Sequence, residues 1–329
     1  MKLNIVKKIS MLLTTALVVS MFSGCSSNDN SEDGVTTFED SKKLVMTHVT
    51  SPLNVPSIIQ KHNSILEMEL EKNNNPTRVD YAEITSGSEQ TQALASKDVD
   101  ILYGVGGTSV VLAAANGADI KVLNMYSRSP EAFTMYSKDD SIKSAEDLKG
   151  KTIAGPVGTN LHQLLIAYLN EAGMSIGDVN FVNMSIPNAK AGLDNGSVDV
   201  ALIAGPTAYT AKKQGYNLIT DGKGLTDAII AVAVTEEFYN NNRDIIKIFM
   251  DSQNETLKFM NDNYDKVIDI VAKELDLEKS AVEEMYKQYD FSIEITEEDK
   301  KAFENIEDFM FETNMIEKEY DTNNLFINE

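Results

Sequence analysis

The sequence predicts an α/β protein of two lobes, each a mostly parallel sheet flanked by helices. Three observations lead there. Short β-rich runs alternate with helical stretches from Lys43 to Val234, a rhythm that builds open sheets. Turns rich in Gly, Ser, Thr and Asn separate each run from the helix that follows. An internal echo matches Leu94-Ala-Ser-Lys-Asp-Val-Asp-Ile101 with Leu193-Asp-Asn-Gly-Ser-Val-Asp-Val200, in the same order of elements.

The elements follow in order. Lys43–Val49 reads as a strand, and Pro52 and Pro56 mark a turn, with Pro56 suited to a first helical turn. Arg78–Ile84 alternates like a strand, Ser86-Gly87-Ser88 breaks it, and Glu89–Ser96 is helical. Val99–Tyr103 is a strand, Gly104–Gly107 a turn, and Thr108–Asn116 a helix that Gly117 ends. Ile120–Met125 is a strand. Ser144-Ala-Glu-Asp147 resembles a capping box with Asp in the fourth place. Lys151–Ala154 is a strand leading through Gly155–Gly158 into a helix over Thr159–Glu171. Val179–Met184 and Val198–Ala204 are strands, the second followed by Gly205-Pro206 and a helix to Lys213. Ile229–Val234 is β-rich. Beyond Asn241 the pattern is amphipathic helix, with Phe303, Ile306 and Met310 on one face. The boundaries that result are 42–127 with 228–329 for the first lobe and 128–227 for the second, joined by hinge crossovers.

The amino terminus sets the compartment. Lys2, Lys7 and Lys8 precede a 14-residue apolar run, Ile9–Phe22, and Ser23-Gly24-Cys25 follows. A basic start, a short apolar run and small residues before a cut make a secretory signal over 1–24. The run is too short to span a bilayer, which takes about 20 residues. Cys25 is the only cysteine and looks like the lipobox cysteine of a bacterial lipoprotein. Residues 25–41 are then a polar, lipid-anchored tether with too little apolar surface to order itself. The predicted localisation is extracytoplasmic, moored to the membrane.

Composition excludes several classes. Net charge is -22, and removing the signal's three lysines makes the mature chain more acidic still. That balance argues against nucleic acid, whose binding rests on Lys and Arg. One cysteine allows no disulfide within the chain and no thiolate metal site. The three histidines, His48, His62 and His162, have no zinc spacing, and no phosphate-binding glycine motif is complete. Neither a catalytic set, nor a metal, nor a cofactor is expected.

Binding chemistry falls on six loops of one character. They hold Thr50, Ser51 and Asn54; Ser86, Gly87 and Ser88; Gly106, Gly107 and Thr108; Thr159, Asn160 and His162; Pro187; and Gly205 and Thr207. Glycine admits close backbone approach, and hydroxyls and amides supply short neutral hydrogen-bonding groups. Helix N-termini add unpaired N–H groups and partial positive charge. The same residue types also serve as helix N-caps, so each loop alone fits either reading. Arg128, at the crossover, and Lys190 are candidate partners for an anion or ordinary surface cations. His162 reads as a ligand contact or as a core histidine.

Ile84-Thr-Ser-Gly-Ser-Glu-Gln-Thr-Gln-Ala-Leu94, Val99-Asp-Ile101 and Ala114-Ala-Asn-Gly-Ala-Asp119 resemble the first lobe of nitrate/sulfonate/taurine-type substrate-binding proteins. Ser141–Ala154, Gly158-Thr-Asn-Leu-His162 and Gly196–Ile203 are similar to that family's second lobe. The resemblance implies the periplasmic-binding-protein type II fold. It implies a lipoprotein that closes on a small solute and delivers it to an ABC permease and its ATPase. The solute would be a sulfonate-, nitrate- or taurine-like anion or a thiamine-precursor pyrimidine. Family members often carry an aromatic residue and an Asp where this chain has Ala204 and Gly205. The small replacement is expected to leave room for a bulkier or less polar solute. Two other readings are an enzyme on the same fold and a lipid-anchored sensory module. The pyrimidine synthases of similar architecture carry a cysteine-rich motif that this chain lacks.

Overall fold

The computed structural model describes residues 42–50 and 52–327. The signal sequence, Cys25, the tether and Ser51 lie outside the described residues.

The chain begins with β1 (Lys43–Thr47), α1 (Val55–His62), α2 (Ile65–Lys72), β2 (Arg78–Ala82), α3 (Gly87–Ser96), β3 (Ile101–Gly106), α4 (Gly107–Ala115) and β4 (Lys121–Arg128). It then builds β5 (Phe133–Ser137), β6 (Thr152–Gly155), α5 (Asn160–Glu171), β7 (Asn180–Asn183), α6 (Ile186–Asn195), β8 (Val200–Ala204), α7 (Gly205–Lys213) and β9 (Asn217–Asp221). It returns through β10 (Ile229–Val234) and ends in α8 (Glu236–Asn241), α9 (Arg243–Asp262), α10 (Tyr264–Glu274), α11 (Lys279–Tyr286) and α12 (Glu297–Glu312).

Among the described residues the strands form two five-stranded sheets, ordered β2-β1-β3-β10-β4 and β7-β6-β8-β5-β9. The orders correspond position by position. β1 pairs parallel with β2 and β3, as β6 does with β7 and β8. β10 runs antiparallel between β3 and β4, and β5 runs antiparallel between β8 and β9. The sheets are therefore mixed, more so than the alternation of elements alone predicts. The antiparallel member of each sheet is the strand laid down after the chain changes sheets. β5 and β9 are the strands the sequence reading passed over. β5 is only five residues long and follows directly on the Pro130 turn, and β9 shows no clean alternation of burial.

The internal echo has a physical cause. Lys97 and Gly196, equivalent in the repeat, both end their helices in the left-handed conformation, at φ of 66° and 78°. Asp100 and Asp199 then clip the third strand of each set to the first. An Asp100 carboxylate oxygen accepts from the Val45 amide at 2.8 Å, and one of Asp199 accepts from the Thr152 amide at 2.8 Å. Each Asp amide donates to the same residue's carbonyl.

The central strands β8 and β10 are buried along their whole length, as continuous apolar runs covered on both faces should be. One apolar cluster joins Tyr103 and Val232 of the first sheet to Phe133 and Leu202 of the second. A second packs Phe303, Ile306 and Met310 of α12 on α4 and β10, as the apolar face of that helix predicts.

Candidate ligand cleft

All six predicted loops follow the carboxyl ends of parallel strands, the side on which open α/β sheets bind ligands. The loops after β1, β2 and β3 lead into α1, α3 and α4. Those after β6, β7 and β8 lead into α5, α6 and α7.

The two sets meet at particular residues. Gly205, opening α7, lies so close to Pro52 that a Cβ on it would sit 2.2 Å from the Pro52 carbonyl oxygen. A Cβ on Gly158, before α5, would lie 3.9 Å from Leu112 of α4. The His162 ring stacks on Phe181 of β7 at 4.7 Å and meets Phe309 of α12 edge-on at 6.1 Å. Ile166, one turn further along α5, joins the apolar cluster of α4 and α12.

Capping separates these helices from others in the fold. Thr235 and Thr296 cap α8 and α12 by accepting from amides three residues on. At the rims, Thr159, Ser185, Gly106 and Ala204 place no side-chain cap on α5, α6, α4 and α7. The Thr159 hydroxyl instead donates to the Pro156 carbonyl at 2.8 Å. Ser86 alone among the predicted rim residues caps its helix, α3, accepting from the Glu89 amide at 3.5 Å. At α1 the buried Tyr126 phenol accepts from the Ser57 amide at 3.1 Å and pairs with the Ser57 hydroxyl at 2.8 Å. Four helix ends therefore keep uncapped N–H groups and partial positive charge at the rims.

Buried polar atoms without a protein partner lie on α5 and at several other places in the fold. They include Asn160 Oδ1 and Gln163 Oε1 on the first turns of α5, and Ser127 Oγ where β4 leads to the crossover. Both ring nitrogens of His48, just after β1, are likewise buried and unpartnered. Such atoms cost free energy unless something pairs with them. Burial, reinforced by the Lys61 charge, pushes the His48 pKa down. Burial pushes that of His162 down to about 4. The Gly158 amide donates to His162 Nδ1 at 3.3 Å, so the neutral ring carries its proton on Nε2.

Other predicted residues sit as follows. Asn54 and Thr108 are buried at the starts of α1 and α4; Gly87 and Gly107 are close-packed, against Ser109 and against Ile229 and Ile306. Thr50 and Thr207 are half-buried, while Ser88 and Pro187 are exposed. At two predicted positions the protein itself supplies the neighbours. Arg128 is committed within the protein: its five N–H groups meet Asp299 Oδ1 and Oδ2, the Ser292 carbonyl and hydroxyl, and the Glu294 carbonyl, at 2.5–3.0 Å. The space above Gly205 is not left for solute, because the Pro52 backbone fills it. Lys190, buried, pairs with Asp194 at 2.6 Å and Gln214 at 2.7 Å.

Sequence reasoning missed Gln163, Ser127 and Tyr126. Gln163 was within reach, since it lies three residues after Asn160 on one helical face. Ser127 and Tyr126 sit inside a strand and carry no local signal. An open groove of about 570 Å³ between α2 and β2, lined by Glu67, Asn75 and Arg78 among others, belongs to neither rim. No group of three or more His, Cys, Asp or Glu among the described residues is arranged to hold a metal. No helix among them is long and apolar enough to cross a membrane.

Known proteins resemble this chain in sequence and in fold. A putative aliphatic sulfonates-binding protein of Bacillus subtilis is 26% identical over 322 residues, covering 96% of this chain and 94% of its own. The taurine-binding periplasmic protein of Escherichia coli is 29% identical over 178 residues, 53% of this chain and 55% of its own. The solved alkanesulfonate-binding protein SsuA of Xanthomonas axonopodis pv. citri, bound to MOPS, superposes with a TM-score of 0.79 at 21% identity, covering 88% of this chain and 99% of that one. The periplasmic aliphatic sulphonate binding protein SsuA of Escherichia coli superposes at 0.76, with 20% identity and 87% and 98% coverage. A model of the NMT1/THI5 like family matches residues 77–266, more than half of the sequence, and the chain belongs to that family.

Proposed function

We propose that this protein is an extracytoplasmic solute-binding lipoprotein of an ABC importer, which captures a small anion between its lobes and hands it to a permease. The observation that carries the reading is the set of uncapped helix ends at the rims; the buried, unpartnered amide oxygens of Asn160 and Gln163 on α5 are acceptors that suit a donor on the same solute, such as the ammonium of a taurine-like zwitterion. Helix N-termini hold anions with backbone N–H groups and partial charge, without a full cation. Arg128 and Lys190 are both spent on protein carboxylates. That favours a singly charged group with dispersed charge, such as a sulfonate, over a phosphate dianion. The sulfonate and taurine binders among the relatives support the same class. The ligand enters by population shift: it stabilises the closed lobes because only they bring both rims to it. Cys25 carries the lipid, and residues 26–41 form the tether.

Calorimetry of the purified protein against taurine, short alkanesulfonates, nitrate and thiamine-precursor pyrimidines tests the reading, with native mass spectrometry to catch a retained solute. Saturable binding of a sulfonate is expected. Binding of none of these, with no retained solute, removes the reading. Cys25→Ser should release the protein from the membrane fraction; unchanged retention would overturn the lipid anchor.

A further inference from the structure

We infer that Gly205 sets how far the two lobes can close, because it lets backbone meet backbone where a side chain would hold them apart. The inference rests on the closure described under the proposed function. Gly205 follows β8, the middle strand of its sheet, and begins α7; Pro52 lies in the loop between β1 and α1. A Cβ built on Gly205 would lie 2.2 Å from the Pro52 carbonyl oxygen, 2.7 Å from its carbonyl carbon and 2.8 Å from its Cα. All three obstacles are main chain, so no rotamer change relieves them.

Neither side yields easily. Ala204, one residue before, is paired with Phe133 in the sheet and is fully buried. On the other side, proline restricts its own φ, and the Asn54 amide donates to the Thr50 carbonyl at 3.1 Å across the loop. The helix that follows is tied to Tyr126 through Ser57. A methyl group at residue 205 is therefore accommodated by separating the lobes. Elsewhere along the seam the contact runs through side chains that can adjust, such as Leu112 against Gly158 and Phe309 against His162. Gly205 is thus a positioning residue for binding: it governs the population of the closed state, and apparent affinity scales with that population.

The test compares Gly205→Ala with Gly215→Ala in the full chain. Gly205 has a φ of 57° and Gly215, near the other end of α7, a φ of 75°, so both substitutions impose left-handed strain. A Cβ on Gly215 meets nothing within 4 Å, so that variant controls for strain and folding. Hydrogen–deuterium exchange of the 48–55 segment is read without ligand, and affinity is read by calorimetry with taurine and ethanesulfonate. Gly205→Ala should speed exchange of that segment and weaken binding at least about tenfold, while Gly215→Ala stays near wild type. Wild-type exchange and affinity in Gly205→Ala, or equal losses in both variants, would overturn the inference. Should the wild type bind neither sulfonate, the proposed ligand class fails, and the exchange comparison alone decides the role of Gly205.

Discussion

Arg128 and Asp299 bind each other at both ends, Nε to Oδ1 at 2.6 Å and one terminal nitrogen to Oδ2 at 2.5 Å. The same Asp299 oxygen accepts from the amide and hydroxyl of Thr296, completing the capping box of α12. One carboxylate therefore starts the last long helix and anchors that helix to the end of β4, at the crossover. Parallel N–H···O bonds of this kind are stronger and more directional than a single ion pair.

Removing one partner leaves a buried charge. Arg128→Met should cost about 3 kcal/mol of stability in urea unfolding. Asp299→Ala should cost at least as much, because it also removes the cap. Burial raises the Asp299 pKa, but hydrogen bonds from Arg128 and Thr296 outweigh it and hold the group below its ordinary value. A carboxyl depressed in the folded state stabilises above its unfolded pKa. Its contribution is expected to be intact above about pH 4 and to fade as pH falls further. Equal acid sensitivity of wild type and Asp299→Asn would refute this.

His162 predicts a second, separate pH dependence. Its folded pKa of about 4 lies below the ordinary 6.5, so between those values the unfolded chain binds a proton that the folded one refuses. Stability should fall as pH drops from 6.5 towards 4, by up to about 3 kcal/mol. His162→Gln should flatten that slope. An unchanged slope would mean that the imidazole is not desolvated by Phe181 and Phe309.

Gln163 distinguishes a site from a core. Its buried Oε1 has no protein partner, so Gln163→Met should leave the ligand-free protein as stable as wild type or about 1 kcal/mol more stable. The same change should weaken binding of taurine, whose ammonium can donate to that oxygen, more than binding of ethanesulfonate, which offers no such donor. A loss of stability with intact binding would make Gln163 a structural residue.

The repeated carboxylate clips predict matched costs. Asp100→Ala and Asp199→Ala each remove an acceptor from a strand amide, at Val45 and Thr152. Each should lower stability by about 1–2 kcal/mol in urea unfolding. A cost confined to one of them would break the equivalence of the two sheets.

The sequence made the parallel strands and their loops legible because their signals are local. Val198–Ala204 is an apolar run ended by Gly-Pro, and the Leu94 and Leu193 repeats already carried the helix ends and Asp clips. β5 and β9 were not legible, since their pairing partners lie far along the chain and neither segment is long or cleanly patterned. Arg128 looked available because nothing near it in sequence reveals Asp299, 171 residues later. At Gly205 the residue type was visible and the occupant was not. Only the fold brings Pro52 there, and it turned expected space into a contact.

The exchanged antiparallel strands bear on how the chain acquires its shape. The second sheet is complete within one stretch, from Phe133 to Asp221, and can assemble as soon as that stretch is available. In the first sheet β10 pairs with both β3 and β4 and separates them in the strand order. That sheet stays unfinished until Ile229–Val234 has emerged, late in synthesis. The facing edges of β3 and β4 therefore wait without their shared partner until the whole second sheet has been made.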